Sequence, residues 1–382
     1  MAAITTEHRH AAGSLFILGF DGTRLTEPLD SWIERWRPAG FILFRRNIES
    51  PAQVARLCAE LRARYPADDP PLISVDQEGG RVARLRAPFT ELPPARVLGR
   101  HYARTGSLDL IARAGAITAA ELTAVGINLN YAPVLDVDSN PANPVIGDRA
   151  LAADPETVST VGNALIAAYQ TGGLIACGKH FPGHGDTSSD SHYDLPVVKR
   201  DRQALEHLEL LPFRRAVSAG VAAIMTAHVL YPALDPTWPA TLSRPILTGL
   251  LRESMGFDGL IITDNMEMRG VWGRWDADTL VHQSITAGCD LFIGGGGGLQ
   301  GQQPQTDIQL QLMEALAARL AAGRLSKDRL TESQRRIQAA KARLPRWTGL
   351  PTEAQLQGIG QDRHQAVADA LRHGDQSEGR AT

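Results

Sequence analysis

The chain has 382 residues, of which 43% are hydrophobic, and this supplies enough apolar side chain for one large core or two medium ones. Its formal net charge of −3 gives no electrostatic support to a nucleic-acid partner. The cysteines Cys58, Cys177 and Cys289 lie far apart and form no CxxC pair, which argues against a disulfide framework and against a zinc knuckle. A reducing compartment fits this cysteine usage best.

The first apolar run, SLFILGF at 14–20, stops at Asp21. A secretory signal needs a longer apolar core and a cleavage site of small residues. No run along the chain approaches the length of a membrane span. The sequence therefore predicts a soluble cytoplasmic protein with no membrane partner.

Eight short apolar runs follow one another along the chain, each with the length of a buried β-strand. They cover residues 14–20, 40–47, 71–78, 127–137, 173–180, 222–229, 259–265 and 290–295. Stretches of helical periodicity separate them. Residues 50–65 open with a Ser cap and a Pro, residues 154–173 open with Asp and close with Gly, and residues 276–290 precede the eighth run.

Eight buried strands that alternate with helices predict an α/β fold, a (β/α)8 TIM-type barrel forming a single domain over residues 1–345. A doubly wound open sheet is the alternative. It usually carries a Gly-rich turn after its first strand, whereas GFDGTR here is no GxGxxG. Residues 346–382 are predicted to form a C-terminal helical extension through DRHQAVADALRH that ends in a disordered tail, GDQSEGRAT.

Polar side chains gather at the C-terminal ends of the apolar runs, where barrel enzymes build their active sites. Strand ends meet polar loops in any fold, so one such residue would mean little, but six of them predict a functional site. They are Asp76, Asp136, Lys179, His180, His228 and Asp264.

Taken singly, these residues leave two interpretations open. Asp264 is either a nucleophile at the barrel mouth or the cap of the next helix. Asp76 and Arg84 either grip the hydroxyl groups of a polar ligand or form an ion pair that closes a loop, which Gly79 and Gly80 let turn tightly. Arg149, in a loop after the fourth run, is a weak signal by itself.

The stretch KHFPGHGDTSSDSHYDLP, at 179–196, combines three His with three Asp. Its spacing, His-x3-His-x7-His over His180, His184 and His192, matches no standard zinc pattern. Asp190 could orient His192 for proton transfer, and a solvated loop is the plain alternative. The Gly- and Ser-rich setting favours a mobile lid over a metal cage, so neither a metal nor a cofactor is predicted.

Four motifs come in order along the chain: DQEGGRVARL, NLNYAPVLDVDSNPANPVIGDRAL, KHFPGHGDTSSDSHYDLP and TDN. Together they resemble glycoside hydrolase family 3, and within it the single-domain bacterial β-N-acetylglucosaminidases of peptidoglycan recycling. The resemblance covers residues 14–340. KHFPGHG followed by DSH is its most specific part.

The resemblance implies a retaining mechanism through a covalent glycosyl-enzyme. It implies Asp264 as nucleophile and His192, paired with Asp190, as general acid/base. It also implies a set of sugar-binding residues: Asp76, Arg84, Arg149, Lys179 and His180. The implied substrate is a muropeptide with a terminal non-reducing N-acetylglucosamine.

Three other functions remain open on the sequence: a β-N-acetylglucosaminide phosphorylase, a β-glucosidase of broader specificity in the same family, and a non-catalytic sugar-binding barrel. The last is disfavoured because Asp264 and His192 are both present. The Gly-rich stretch IGGGGGLQGQQPQ, which includes Gly294–Gly298, is predicted to be a flexible insertion. A phosphate cradle would need the P-loop Lys and Ser/Thr, which this stretch lacks.

Overall fold

The computed structural model describes residues 3–191, 193–295, 306–346 and 349–376. Within these ranges the strands are β1 Phe16–Leu18, β2 Gly40–Leu43, β3 Leu72–Val75, β4 Gln77–Gly79, β5 Val82–Ala83, β6 Leu129–Asn130, β7 Ile175–Phe181, β8 Ala223–Thr226, β9 Leu260–Asn265 and β10 Leu291–Gly294. β4 and β5 form a small antiparallel hairpin. The other eight strands close into a barrel, which confirms the predicted fold.

All neighbouring barrel strands are parallel, and each strand lies beside the next barrel strand in the chain. The barrel closes where β1 pairs with β10, with Phe16 opposite Phe292 and the two rings stacked 5.0 Å apart. Parallel pairing brings every strand's C-terminal end to one face of the barrel, which is therefore where the loops can build a site.

The helices of the described ranges pack around this barrel. They are α1 Thr6–Gly13, α2 Glu27–Trp36, α3 Pro51–Arg62, α4 Ala95–Thr105, α5 Asp109–Ala124, α6 Pro155–Thr171, α7 Arg202–His207, α8 Leu210–Ser218, α9 Ala277–Ala287, α10 Thr306–Ala321, α11 Lys327–Lys341, α12 Glu353–Gln357 and α13 Asp362–Gln376. A π-helix, Pro245–Ser254, stands between β8 and β9.

The predicted helix starts agree with the structure. The Ser50 side chain accepts a hydrogen bond from the Gln53 amide at 3.2 Å and begins α3. Asp154 does the same for the Thr157 amide at 2.8 Å and begins α6. These side chains satisfy amide groups that have no partner within the helix, which explains why the helices begin there.

Every predicted run extends beyond the strand it forms, and two of the runs differ from the prediction in a way that local features account for. The run 127–137 yields only β6. The chain beyond it is irregular around Pro133, which has no amide hydrogen, but it stays bonded to β7 through the Lys179 amide to Pro133 O at 3.2 Å and the Leu135 amide to Lys179 O at 2.7 Å. The run 71–78 divides into β3 and the start of the β4–β5 hairpin, so its last residues leave the barrel.

The barrel strands are buried on both faces, as expected for a parallel sheet covered by helices. All three cysteines are buried free thiols. Among the described residues no helix is both long and apolar enough to cross a membrane.

The chain beyond residue 345 also packs against the barrel's helices. Val367 and Leu371 of α13 are buried in the same apolar cluster as residues of α4 and α5. The Glu121 carboxylate of α5 accepts hydrogen bonds from the Gly360 amide at 2.9 Å and from the His364 ring at 2.8 Å. The division into a domain ending at 345 and an extension stays a prediction.

Residues 377–382 of the predicted tail and residues 296–305 of the Gly-rich stretch lie outside the described residues.

Candidate active site

The barrel topology brings the predicted polar residues to the C-terminal face. Asp76 directly follows β3, Lys179 and His180 lie in the last part of β7, and Asp264 lies near the end of β9. Asp136 comes after β6 and His228 after β8, so five neighbouring strands contribute to one mouth.

An ion-pair cluster, called here the mouth cluster, consists of Asp76, Glu78, Arg84, Arg149 and Lys179. The Lys179 ammonium lies 2.8 Å from Asp76 Oδ1 and 2.6 Å from Glu78 Oε1. Arg84 contacts the other Asp76 oxygen at 3.2 Å. The Arg149 guanidinium binds both Glu78 oxygens, at 2.8 and 2.9 Å. Asp76 and Arg84 therefore form the ion pair that one interpretation of the sequence predicted. Because this pair also lies in the mouth cluster, it does not exclude a role in binding a ligand.

The charges of the mouth cluster support one another. Burial disfavours the ionised Glu78 carboxylate, but Arg149 and Lys179 outweigh burial and lower its pKa to about 2. Burial likewise opposes ionisation of Asp76, and Lys179 with Arg84 hold its pKa well below the ordinary range. For Lys179, burial is outweighed by Asp76 and Glu78, which raise the pKa of the ammonium. All three groups are charged at neutral pH.

The β4–β5 hairpin holds the acidic half of this cluster in place. Gln77 exchanges two hydrogen bonds with the buried Asn130 side chain, both at 3.0 Å. Its own side-chain oxygen accepts from the amides of Arg84 and Leu85. The turn needs glycine at position 79, where φ is +105° and an added Cβ would lie 2.6 Å from the Pro93 carbonyl oxygen.

A second cluster surrounds the buried carboxylate of Asp136. Asp136 accepts from the His180 ring at 2.7 Å and from the backbone amides of His180 and His184 at 3.0 and 2.7 Å. Burial disfavours its charge, but His180 outweighs burial and lowers the pKa of Asp136 to about 2. Asp136 therefore fixes the orientation of the His180 ring, whose Nε2 is the nitrogen left for a ligand.

The His184 ring is buried and neutral. Burial, with His180 adding to it, lowers the pKa of His184 to about 4. Its Nδ1 lies 2.9 Å from Thr187 Oγ1 and its Nε2 lies 3.1 Å from Ser191 Oγ. Both ring nitrogens thus serve hydrogen bonds, and within the described ranges no group of His, Cys, Asp and Glu is arranged to hold a metal ion.

Asp264 does not cap a helix. β9 ends at Asn265, and the following helix α9 begins at Ala277 with Asp276 as its cap. The carboxylate of Asp264 accepts from the Asn265 amide at 2.7 Å. Burial chiefly raises the pKa of Tyr131, and the charges of Asp76 and Asp264 both add to it. Asp76 follows β3 and Asp264 lies at the end of β9, so the parallel barrel puts both carboxylates on its C-terminal face.

The β7–α7 loop, residues 182–201, carries the proposed acid/base pair. Asp190 O accepts from the amides of Tyr193 and Asp194, which forms a turn. Ser191 O accepts from the Gly270 amide at 2.9 Å, and Asp194 pairs with Arg274. These contacts place the loop against the β9–α9 loop, residues 266–276. His192 itself lies outside the described residues.

The two ends of the β7–α7 loop, with Gly185 and Asp186 at one end and Arg200 at the other, are called here its stem, and a third group of charges supports it. Arg200 bridges Asp186 at 2.8 Å and Glu209 at 3.2 Å, and Ser139 also contacts Glu209 at 3.2 Å. Burial raises the pKa of Glu209 to about 7, although Arg200 acts in the opposite direction. The two ends of the loop are therefore joined through Arg200.

Sequence reasoning missed Glu78 and gave Asp136 and His184 no defined role. Glu78 stands in the DQEGG motif, next to the chosen Asp76, so a signal was present. Two carboxylates, Asp76 and Glu78, stand two residues apart and are followed by Arg81 and Arg84, and this pattern predicts more than one ion pair. The partners of Glu78 could not be predicted, because Arg149 and Lys179 are far away in the sequence.

The closed barrel and its charged mouth define a class, that of barrel enzymes with a site suited to binding a polyhydroxylated ligand. The model of the glycosyl hydrolase family 3 N-terminal domain matches residues 13–340, and the chain therefore belongs to glycosyl hydrolase family 3. Its curated relatives place it in the β-hexosaminidase group of that family.

The β-hexosaminidase of Thiobacillus denitrificans is 44% identical over 277 residues, which are 72% of this chain and 73% of that protein. The β-hexosaminidase of Pseudomonas aeruginosa LESB58 is 40% identical over 281 residues, covering 74% and 82%. Among solved structures, a family 3 β-N-acetylglucosaminidase from Paenibacillus sp. FPU-7 matches with a TM-score of 0.85 at 37% identity, covering 97% of this chain and 68% of that one. NagZ of Neisseria gonorrhoeae in complex with N-trifluoroacetyl-D-glucosamine matches with a TM-score of 0.74 at 32% identity, covering 94% and 96%.

Proposed function

We propose that the protein is a retaining exo-β-N-acetylglucosaminidase that removes terminal non-reducing N-acetylglucosamine from muropeptides in the cytoplasm. The observation that carries the proposal is Asp264, a partly exposed carboxylate at the end of β9, on the same C-terminal face of the barrel as the mouth cluster. The relatives named β-hexosaminidase support the choice of an N-acetylated hexose.

The mouth cluster suits a sugar because its donors and acceptors are fixed before the ligand arrives. An ammonium has three N–H donors. Asp76 and Glu78 accept from two of the three N–H donors of the Lys179 ammonium, which leaves the third for a ligand hydroxyl. Asp76 and Arg84 remain partly exposed, at 16% and 31% of their side-chain surfaces, and can accept from and donate to neighbouring hydroxyls.

The first chemical step uses Asp264 as nucleophile. A carboxylate oxygen bonds to the anomeric carbon, the bond to the leaving oxygen breaks with its electron pair, and that oxygen takes a proton from the imidazolium of His192. The neutral imidazole then accepts a proton from water, whose oxygen attacks the anomeric carbon and releases Asp264. Asp190 stabilises the imidazolium that donates the proton in the first step and forms again in the second.

Release of 4-nitrophenol from the β-N-acetylglucosaminide and from the β-glucoside tests the proposal. A clear preference for the acetamido substrate, with the β-anomer of N-acetylglucosamine as the first product seen by NMR, is expected. Equal rates on both substrates would place the protein in a broader branch of the family. An α-anomer as first product would contradict the covalent intermediate.

Phosphorolysis is the second candidate, because the motif supplies a His rather than a carboxylic acid as the proton donor. A donor that is neutral or cationic repels an incoming phosphate less than a carboxylate does. Rates in phosphate and in a buffer without phosphate distinguish the two reactions. Hydrolysis predicts equal rates in both, whereas a sugar phosphate among the products would identify a phosphorylase.

A further inference from the structure

Glu78 is a buried carboxylate without an assigned role. Its side chain is 4% exposed, and it contacts two residues of the proposed sugar site. It lies 2.6 Å from the Lys179 ammonium and binds the Arg149 guanidinium through two nitrogens. Both oxygens of the Glu78 carboxylate are therefore engaged by these two cations.

These contacts determine which donors of the two cations face a ligand. Glu78 takes one of the three Lys179 donors and Asp76 takes another. On Arg149, Glu78 occupies Nε and Nη2, and Nη1 lies 3.4 Å from the Val145 carbonyl oxygen. A planar guanidinium held at two nitrogens cannot rotate, so the remaining N–H groups have fixed directions.

The backbone around Glu78 is equally fixed. Its neighbour Gln77 is held by two hydrogen bonds to Asn130, and Gly79 has no room for a Cβ. A carboxylate on such a hairpin keeps its position when a ligand enters or leaves. That rigidity is what a site needs if its donors are to match a sugar without reorganisation.

Glu78 also determines the net charge of the mouth cluster. The cluster has three cations and two carboxylates, so one positive charge remains. The groups that face Glu78 are Arg149, Lys179, Asp76 and the buried phenol of Tyr169. Removal of the Glu78 charge would leave two net positive charges beside the reacting carbon.

We propose that Glu78 is a positioning residue for this reaction. It aims the Lys179 ammonium and the Arg149 guanidinium at the bound sugar, and its charge sets the electrostatic potential in which Asp264 and the acid/base work. The inference rests on the proposed function, because it assigns the sugar to that same mouth.

Glu78→Gln tests the proposal, since it keeps the size of the side chain and removes its charge. We expect kcat/KM on 4-nitrophenyl β-N-acetylglucosaminide to fall about 10²-fold, with a raised KM, because the variant leaves a buried charge pair broken. The added positive potential should also move both limbs of the pH–rate profile to lower pH, by roughly half a unit.

Asp290→Asn is the matched control. Asp290 is fully buried and ringed by Arg252, Arg329 and Arg336, but it precedes β10 and so lies at the opposite end of the barrel. Both variants should unfold at lower temperature than the wild type. Only Glu78→Gln should change KM and the pH profile, which separates positioning from loss of stability.

Glu78→Asp is the second variant, and it carries the test if Glu78→Gln does not fold. It keeps the charge but is one methylene shorter, so the pH profile should return to its wild-type position while KM stays raised. Calorimetric titration with N-acetylglucosamine gives a readout without turnover, with about tenfold weaker binding expected for Glu78→Gln.

Wild-type KM, pH profile and N-acetylglucosamine affinity in Glu78→Gln would overturn the inference and leave the proposed function intact. A wild-type enzyme that cleaves the glucoside equally well overturns the proposed specificity, while the Glu78 variants still test positioning on that substrate. A wild type that neither cleaves nor binds these sugars overturns both.

Discussion

At the scale of single residues, Asp264 has the simplest expectation. Asp264→Ala removes the proposed nucleophile, and kcat should fall by about 10⁴-fold or more. Asp264 lies at the partly exposed end of β9, so the unfolding temperature should stay within a few degrees of the wild type. Rate and thermal unfolding measured on the same preparation check this. A near-normal rate would remove Asp264 from the nucleophile role.

His192 is tested by the chemistry of the leaving group. General acid catalysis contributes about 10²–10⁴-fold and matters most when the leaving oxygen is a poor one. His192→Ala should therefore slow hydrolysis of a natural disaccharide more than formation of the glycosyl-enzyme from a nitrophenyl substrate. The nitrophenyl substrate should show a burst and then slow turnover, which azide should partly restore because it needs no base.

Asp190→Ala should act in the same direction as His192→Ala but more mildly, since the role proposed for Asp190 is only to orient and tune the imidazole. If His192→Ala slows both substrates equally and azide restores nothing, the acid/base lies elsewhere. His184 is not a good replacement in that case, because both of its ring nitrogens serve hydrogen bonds and its pKa lies near 4.

At the scale of elements, the stem of the β7–α7 loop is packed tightly against the chain that follows β6. A Cβ added at Gly185 would lie 1.6 Å from the Val137 carbonyl oxygen, so Gly185→Ala must displace the stem from the chain after β6. We expect a loss of about 1–3 kcal/mol in unfolding free energy and a lower kcat. Gly249→Ala is the control, because no atom lies within 4 Å of its added Cβ. Equal behaviour of the two variants would contradict the tight stem.

The Glu209 carboxyl makes the stability of the same stem depend on pH. Its pKa is raised from 4.5 to about 7 in the folded protein, so the folded state binds the proton more tightly than the unfolded state. The contribution of Glu209 to stability is then largest below pH 4.5, falls as the pH rises to about 7, and is level above that.

Glu209→Gln imitates the protonated side chain and should remove this loss. Its unfolding free energy should exceed that of the wild type at pH 8, by about 1–3 kcal/mol, and match it near pH 4. Chemical denaturation at both pH values measures the difference. A variant that is less stable than the wild type at pH 8 would show that the ion pair with Arg200 outweighs burial.

At the scale of the whole molecule, the chain beyond residue 345 is expected to unfold together with the barrel. Leu371 is fully buried in the cluster that also contains residues of α4 and α5. Leu371→Ala should cost about 2–5 kcal/mol and lower a single unfolding transition by roughly 5 °C. Leu350→Ala, at a side chain that is 62% exposed, should change nothing. A second transition at lower temperature in Leu371→Ala would mean that the extension folds separately.

The barrel could be predicted because its strands are short, apolar and regularly spaced, and parallel pairing then places every strand end on one face. That argument located Asp76, Lys179 and Asp264 without any knowledge of their contacts. It could not locate the partners of Glu78, since ion pairs between distant segments depend on how loops fold back. It also overestimated the strand at 127–137, because hydrophobicity does not reveal that the chain becomes irregular after Asn130.

The contacts between the β7–α7 and β9–α9 loops have a consequence for how such enzymes can be altered. Ser191 binds the Gly270 amide, a Cβ at Gly270 would lie 2.9 Å from the Ser191 carbonyl oxygen, and Asp194 pairs with Arg274. If residues 182–201 alone were replaced by the loop of a relative, the new loop would therefore lack the β9–α9 loop of that relative as its contact surface. Exchange of the two loops as one unit keeps the proposed proton donor in register with the strand that carries Asp264, so the two loops constitute a single exchangeable module.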